Sequence, residues 1–194
     1  ENPVLIQDVL EVEGLKIGYL MYNSFVADFD IQLNDAFAYF AAENIDELIL
    51  DLRYNGGGRV SSATAMASMI TGSYTGEIFA KKQWNEDYQN YFLANEPDEL
   101  FNYFVDKIQG GTDINKLNLS SLYVIGTSST ASASELVING LKPYIDVYLI
   151  GNTTTGKSQA SVTLYDSPNF GRTNANPDHK YAIQPLVYES VNAN

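Results

Sequence analysis

The stretch Thr127–Ser161, TSSTASASELVINGLKPYIDVYLIGNTTTGKSQAS, decides how the rest of the chain is read. It opens on small hydroxyl residues, continues as an amphipathic helix over 131–142, crosses a short apolar strand at 147–150 and turns at Gly156-Lys157. A helix followed by a returning strand brings distant residues back together, here Ser132 near the helix start and Lys157 in the turn. A serine hydroxyl facing a lysine amine has the form of a nucleophile–base pair. The amine takes a proton only when neutral, so the lysine has to be kept partly dry, because burial lowers a lysine's pKa. The turn around Lys157 is therefore expected to be apolar, walled by Leu136, Val137 or Ile150. The competing reading is structural: Ser128, Ser129, Thr130, Ser132 and Ser134 all have side chains that cap helices.

Upstream, Glu47–Arg53 (ELILDLR) is an almost unbroken apolar run, as in a strand buried on both faces. It ends in Asn55-Gly56-Gly57-Gly58 and is followed by an Ala-, Ser- and Met-rich helix over 60–70. Glycines let main-chain N–H groups converge where a side chain would block them, and a helix start adds partial positive charge. Strand, glycine turn and helix in that order suit an anion, the bland alternative being a tight strand-to-helix turn, which needs one glycine rather than three. Ahead of this run, 4–12 and 16–25 read as strands about a Glu13-Gly14 turn, and Asp30 reads as the N-cap of a helix through Ala42. Beyond it, 75–83, 122–127, 158–165 and the closing YAIQPLVYES read as strands, and 166–178 as a loop. The alternation of strands and helices predicts an α/β domain. Residues 84–119 break the pattern with aromatic, acidic and short helical segments, and read as an insertion that packs on the host domain or, as the alternative, covers a ligand-contacting groove.

Bulk properties narrow the function. The 194 residues suit one domain, and no apolar run approaches the ~20 residues of a membrane helix. The net charge of −13 argues against a nucleic-acid partner, since phosphate binding runs on clustered Lys and Arg. The absence of cysteine removes disulfides, thiolate catalysis and Cys-type zinc sites together. The acidic residues have no metal-site spacing, and neither a metal nor a cofactor is implied. The opening Glu1-Asn2-Pro3 reads as an excised piece of a longer protein.

Two motifs are set aside. Gly151–Ser158 (GNTTTGKS) fits a phosphate-loop pattern, but such a loop opens a helix and the residues after this one alternate as a strand does. His179, the single histidine, lies in the Asn-Pro-Asp loop and reads as a surface residue rather than a triad member.

In KIGYLMYNSF, LILDLRYNGGG, SASASELV and the Thr-Gly-Lys turn, taken in this order, the chain resembles the C-terminal processing peptidases, or tail-specific proteases. The style of the insertion is similar to that of the exported Bacteroidetes members. The resemblance implies a ClpP/crotonase-like α/β spiral forming one core domain over 1–194, with 84–119 inserted and a PDZ domain upstream in the full-length protein. It implies a serine endopeptidase with Ser132 as nucleophile and Lys157, twenty-five residues on, as general base. The oxyanion hole would use the N–H of Ala133 and that of Gly57 or Gly58. Relatives carry an Asp eleven residues after the nucleophile, where this chain has Pro143, or a Gln four after the lysine, where it has Ser161. Gln159, one strand-repeat earlier, is the alternative orienting residue. The implied partners are polypeptides recognised near their C-terminus, and the implied location is extracytoplasmic, in the periplasm or lipid-anchored to the envelope. The departures motivate one alternative, a non-catalytic peptide- or ligand-binding domain on the same scaffold.

Overall fold

The computed structural model describes all 194 residues. Strands β1 (Val4–Val12) and β2 (Leu15–Tyr22) form an antiparallel hairpin. After a 3-10 turn at Ala27–Phe29 come α1 (Asp30–Glu43), β3 (Glu47–Asp51), α2 (Val60–Thr71) and β4 (Ile78–Trp84). The chain continues through α3 (Glu86–Asn95), β5 (Phe101–Tyr103), β6 (Ser121–Gly126), α4 (Ala133–Leu141) and β7 (Asp146–Gly151). It closes with strands alone, β8 (Gln159–Ser161), β9 (Leu164–Tyr165), β10 (Ala182–Ile183) and β11 (Leu186–Asn192).

The expected α/β architecture is present. A five-stranded sheet has the order β1-β2-β3-β6-β7, and β2, β3, β6 and β7 run parallel. Parallel neighbours require crossovers, which α1, α2 with the segment after it, and α4 supply. Leu20, Leu48, Leu50, Leu122 and Val124 share the face beneath these helices and are fully buried with Leu33, Phe37, Phe40, Met66 and Val137. Each such side chain contributes about 1.5–3 kcal/mol by leaving water. On the opposite face Tyr123 and Tyr148 stack with ring centroids 5.1 Å apart.

A second, antiparallel sheet has the order β5-β4-β11-β8. Helix α4 packs on β7 of the first sheet and on β4 and β11 of the second, so it lies where the two sheets meet. The 84–119 segment supplies α3 and the edge strand β5. Helix α3 touches β4 and the 3-10 turn Pro97–Leu100 and buries none of its residues, while Phe104, Ile108, Ile114 and Leu119 of the same segment are buried in the main core.

Other boundaries differ from the sequence reading for local reasons. The 16–25 strand stops at Tyr22, because Phe25 leaves the sheet to pair with the glycine turn: its N–H donates to Gly57 O at 2.9 Å. The closing strand is interrupted at Pro185, which has no N–H for a ladder. The 158–165 run is likewise split into β8 and β9. Asp30 is not an N-cap; it is the first helical residue, 2% exposed.

Candidate active site

Past β3 the chain runs into the glycine turn, which Asn55 organises. Its side chain is fully buried; Nδ2 donates to Tyr22 O at 2.9 Å and Oδ1 accepts the N–H of Gly57 at 2.9 Å. Its carbonyl accepts the N–H of Ala131 at 3.2 Å and the hydroxyl of Ser134 at 2.9 Å. One buried residue therefore joins the glycine turn to the segment that enters α4. Gly57 completes the contact. At φ 105° it presses so close that a Cβ would lie 2.8 Å from both Ala131 O and Ser132 Cβ.

The hydroxyl residues before α4 divide into two kinds. Thr127 and Thr130 donate to the carbonyls of Arg53 and Leu52 at 2.6 and 2.8 Å, and Ser134 is engaged as above. These are structural hydroxyls. Ser132 forms a capping box with Glu135 at the start of α4 and also lines a cavity of about 170 Å³, with Lys157, Gln159, Leu136, Asn139 and Val60 among its walls. Ser132 has φ 57° and ψ −114°, a strained conformation for a side-chain-bearing residue that costs about 1–3 kcal/mol. Sharp turns into a helix use this strain to lift a nucleophilic serine clear of the backbone.

Glu135 holds the conformation. Its Oε2 accepts the N–H groups of Ser132 and Lys157, each at 2.8 Å, and its Oε1 accepts the N–H of Gly156 at 2.5 Å. Burial pushes the Glu135 carboxyl up, but the Thr154 hydroxyl and the N–H groups of Gly156, Ser132 and Lys157 outweigh it and hold the group below the usual carboxylate range. Two main-chain donors at the site are unpaired: the N–H groups of Ala133 and Gly58 have no acceptor within the protein. Gly57 is a poorer donor, since Asn55 already takes its N–H.

Lys157 departs from expectation. It is exposed, and its Nζ hydrogen-bonds neither Ser132 nor a carboxylate. Of the expected apolar walls only Leu136 lines the cavity. Val137 is fully buried in the core, and Ile150 is 53% exposed because β7 is an edge strand with no neighbour over it. Gln159 lines the cavity and donates to Ser158 Oγ at 3.1 Å; Ser161 is exposed at the far end of β8 and does not line it. His179 pairs with Asp166 at 3.2 Å and takes no part in the cavity. The GNTTTGKS loop leads into β8, a strand, and so has no helix N-terminus for a phosphate.

Residues 16–172 match the sequence pattern of Peptidase family S41. The chain belongs to that family. A probable CtpA-like serine protease of Staphylococcus aureus (strain N315) is 25% identical over 148 residues, 76% of this chain and 26% of the relative. A carboxyl-terminal-processing protease of Picosynechococcus is 24% identical over 168 residues, 87% of this chain and 35% of the relative. The chain thus spans about a quarter to a third of these relatives, as the 26% and 35% figures show. Among solved structures, a protein assigned as an S41 protease from Bacteroides fragilis NCTC 9343 superposes over 100% of this chain and 47% of that one, with TM-score 0.78 and 29% identity. The photosystem II D1 C-terminal processing protease shares the fold, with TM-score 0.63 and 19% identity over 97% of this chain and 43% of that one. The S41 match ends before β10 and β11, so the strand Leu186–Asn192 that floors the cavity through Ser190 lies outside it.

Sequence reasoning passed over three residues of this candidate site: Asn55, Glu135 and Thr154. Glu135 was legible as the S-x-x-E spacing of a capping box, whose glutamate reaches back to the serine's N–H. Its second grip, on Gly156 and Lys157, depends on the tertiary fold.

Proposed function

We propose that this chain is the core of a serine endopeptidase of the C-terminal processing type, working through a Ser132–Lys157 dyad. The observation that carries this is the strained Ser132 in a cavity that Lys157 also lines, beside the unpaired N–H of Ala133. Ser132 Oγ attacks a peptide carbonyl as neutral Lys157 takes its proton. The carbonyl oxygen, now negative, is held by the N–H groups of Ala133 and Gly58, donors of a type worth about 2.7–4 kcal/mol each. The intermediate collapses, the C–N bond breaks, and Lys157 returns the proton to the leaving amine. Water then attacks the acyl-serine with Lys157 again as base, releasing the acid and restoring Ser132.

The openness of Lys157 assigns a role to the substrate. A polypeptide laid across the cavity excludes water, and drying favours the neutral amine. Catalytic hydrogen bonds are often long before substrate binds, so an unmade Ser132–Lys157 bond is compatible with this sequence of events. Gln159, which lines the cavity with Lys157, is the residue proposed to orient the amine. The substrates are polypeptides recognised near their C-terminus, by a PDZ domain upstream in the full-length protein, and the setting is extracytoplasmic. No helix of the chain is long and apolar enough to cross a membrane.

A second reading, a non-catalytic binding domain on the same scaffold, is favoured by that same exposure of Lys157. Labelling with a serine-reactive phosphonate separates the two. The dyad requires labelling of the chain, none of Ser132→Ala, and a large loss in Lys157→Ala. Labelling that ignores Lys157→Ala sinks the dyad, and no labelling at all leaves the binding domain.

A further inference from the structure

The second sheet carries more than the floor of the cavity. Ser190 of β11 and Ala160 of β8 both line it. Tyr188 lies two residues from Ser190, so both point to the same face of the sheet. In register, Tyr188 is flanked by Ala160 on one side and Trp84 of β4 on the other. The face that closes the cavity therefore continues outward into aromatic side chains. Trp84 is the centre of that cluster: its ring lies 5.0 Å from Tyr188, 5.2 Å from Phe92 and 5.8 Å from Tyr88, the last two from α3.

This cluster is not part of the main core. Helix α3 buries no residue, and Tyr88 and Tyr91 are 56% and 50% exposed. An aromatic-rich helix held above a sheet face that leads into the candidate site has an evident occupant, the polypeptide cut there. We propose that Trp84, Tyr188 and Tyr88 form a subsite for an apolar or aromatic side chain of the substrate, outside the scissile-bond cavity. This rests on the peptidase reading of the cavity. An extended strand advances about 3.3 Å per residue, so Tyr188 stands two such steps from the cavity-lining Ser190, and side chains two or three residues from the scissile bond are the ones to test. Glu86 and Asp87 in the first turn of α3, on a chain of net charge −13, select against acidic peptides.

Trp84 is the single tryptophan, and its emission reports directly on this surface. Ser132→Ala protein is titrated with uncharged ten-residue peptides lacking Trp and Tyr, identical except for Phe or Ala two or three residues to either side of the cleaved bond. One Phe peptide is expected to bind about three- to tenfold more tightly than its Ala counterpart, the range of an aromatic pair, and to shift Trp84 emission. Tyr188→Ala and Tyr88→Ala should each remove the preference; Tyr88 is exposed, so its variant tests the subsite even where Tyr188→Ala fails to fold. Equal affinities for every Phe and Ala pair, a preference that survives the folded variants, silent Trp84 emission, or no binding of any peptide would overturn the subsite. Phosphonate labelling of the unsubstituted chain reports on the peptidase reading separately, so the loss of one does not pass for the loss of the other.

Discussion

The carboxylate of Glu135 binds the main chain of Lys157, twenty-two residues away, through the same oxygen that accepts the N–H of Ser132; both contacts are 2.8 Å. A single side chain thus sets the backbone of the proposed nucleophile and that of the turn bearing the proposed base. The arrangement uses only the main chain of Lys157 and leaves its side chain out of the clamp. It also explains how Ser132 is kept at positive φ, since a strained residue persists only when its surroundings over-determine it.

Glu135→Gln keeps the size of the side chain but replaces one accepting oxygen with an NH₂ that faces N–H donors. A hydrogen bond to a charged group is worth about 1.5–3 kcal/mol, so phosphonate labelling should slow by at least about tenfold. Thermal unfolding should fall by several degrees, measured by calorimetry on the same sample. Labelling at the unsubstituted rate would show that the clamp has no bearing on the nucleophile.

The depressed Glu135 carboxyl gives this clamp a pH dependence of definite sign. A carboxyl held lower in the folded than in the unfolded chain contributes stability above the unfolded value, about 4.3, and loses it as pH falls through the folded value. The Tm advantage over Glu135→Gln should be constant above about pH 5 and shrink below about pH 4. An advantage that grows on acidification has the wrong sign.

Gly57→Ala puts a Cβ 2.8 Å from Ala131 O and from Ser132 Cβ, at a φ of 105°. Neither neighbour yields easily, since one is backbone and the other belongs to the strained residue itself. The substitution should cost more than about 1 kcal/mol and abolish labelling, while Gly56→Ala, where a Cβ meets nothing within 4 Å, should be tolerated far better. Comparable labelling of both variants would remove the glycine turn from the site.

Asp30 is 2% exposed with one oxygen unpartnered; burial pushes its carboxyl above the usual value, although the Ser62 hydroxyl draws it down. A raised carboxyl favours the folded state most below the unfolded value of about 3.9, and that contribution is lost as pH rises through the interval up to the folded value. Asp30→Asn, with no charge to bury, should therefore gain on the unsubstituted chain as pH rises from about 4 in paired unfolding curves. A gap that narrows over this interval would place the ionised form in the fold.

Much of this arrangement was legible in the residues. The apolar run at Leu48–Leu50, the glycines after it and the helix from Ala133 are local patterns, and local patterns survive into the fold. The misjudged features are those set by neighbours. Leu136, Val137 and Ile150 are all apolar, and only packing separates a cavity wall from a core residue and an uncovered edge. Strand β8 is only three residues long and its ladder with β11 shifts register, so nothing along the chain announces their pairing, yet that pairing floors the site.

The sequence by itself determined the order of most strands and helices and the family, and it nominated Ser132 and Lys157 as the proposed pair, because periodicity, turn chemistry and motif spacing are written along the chain. The tertiary structure alone decided that Asn55 and Glu135 hold the site together, that Gly58 rather than Gly57 retains an unpaired N–H, and that Lys157 stands in the open. Those outcomes depend on which hydrogen-bonding groups meet across distant segments, and no residue carries that information until the two sheets close around α4.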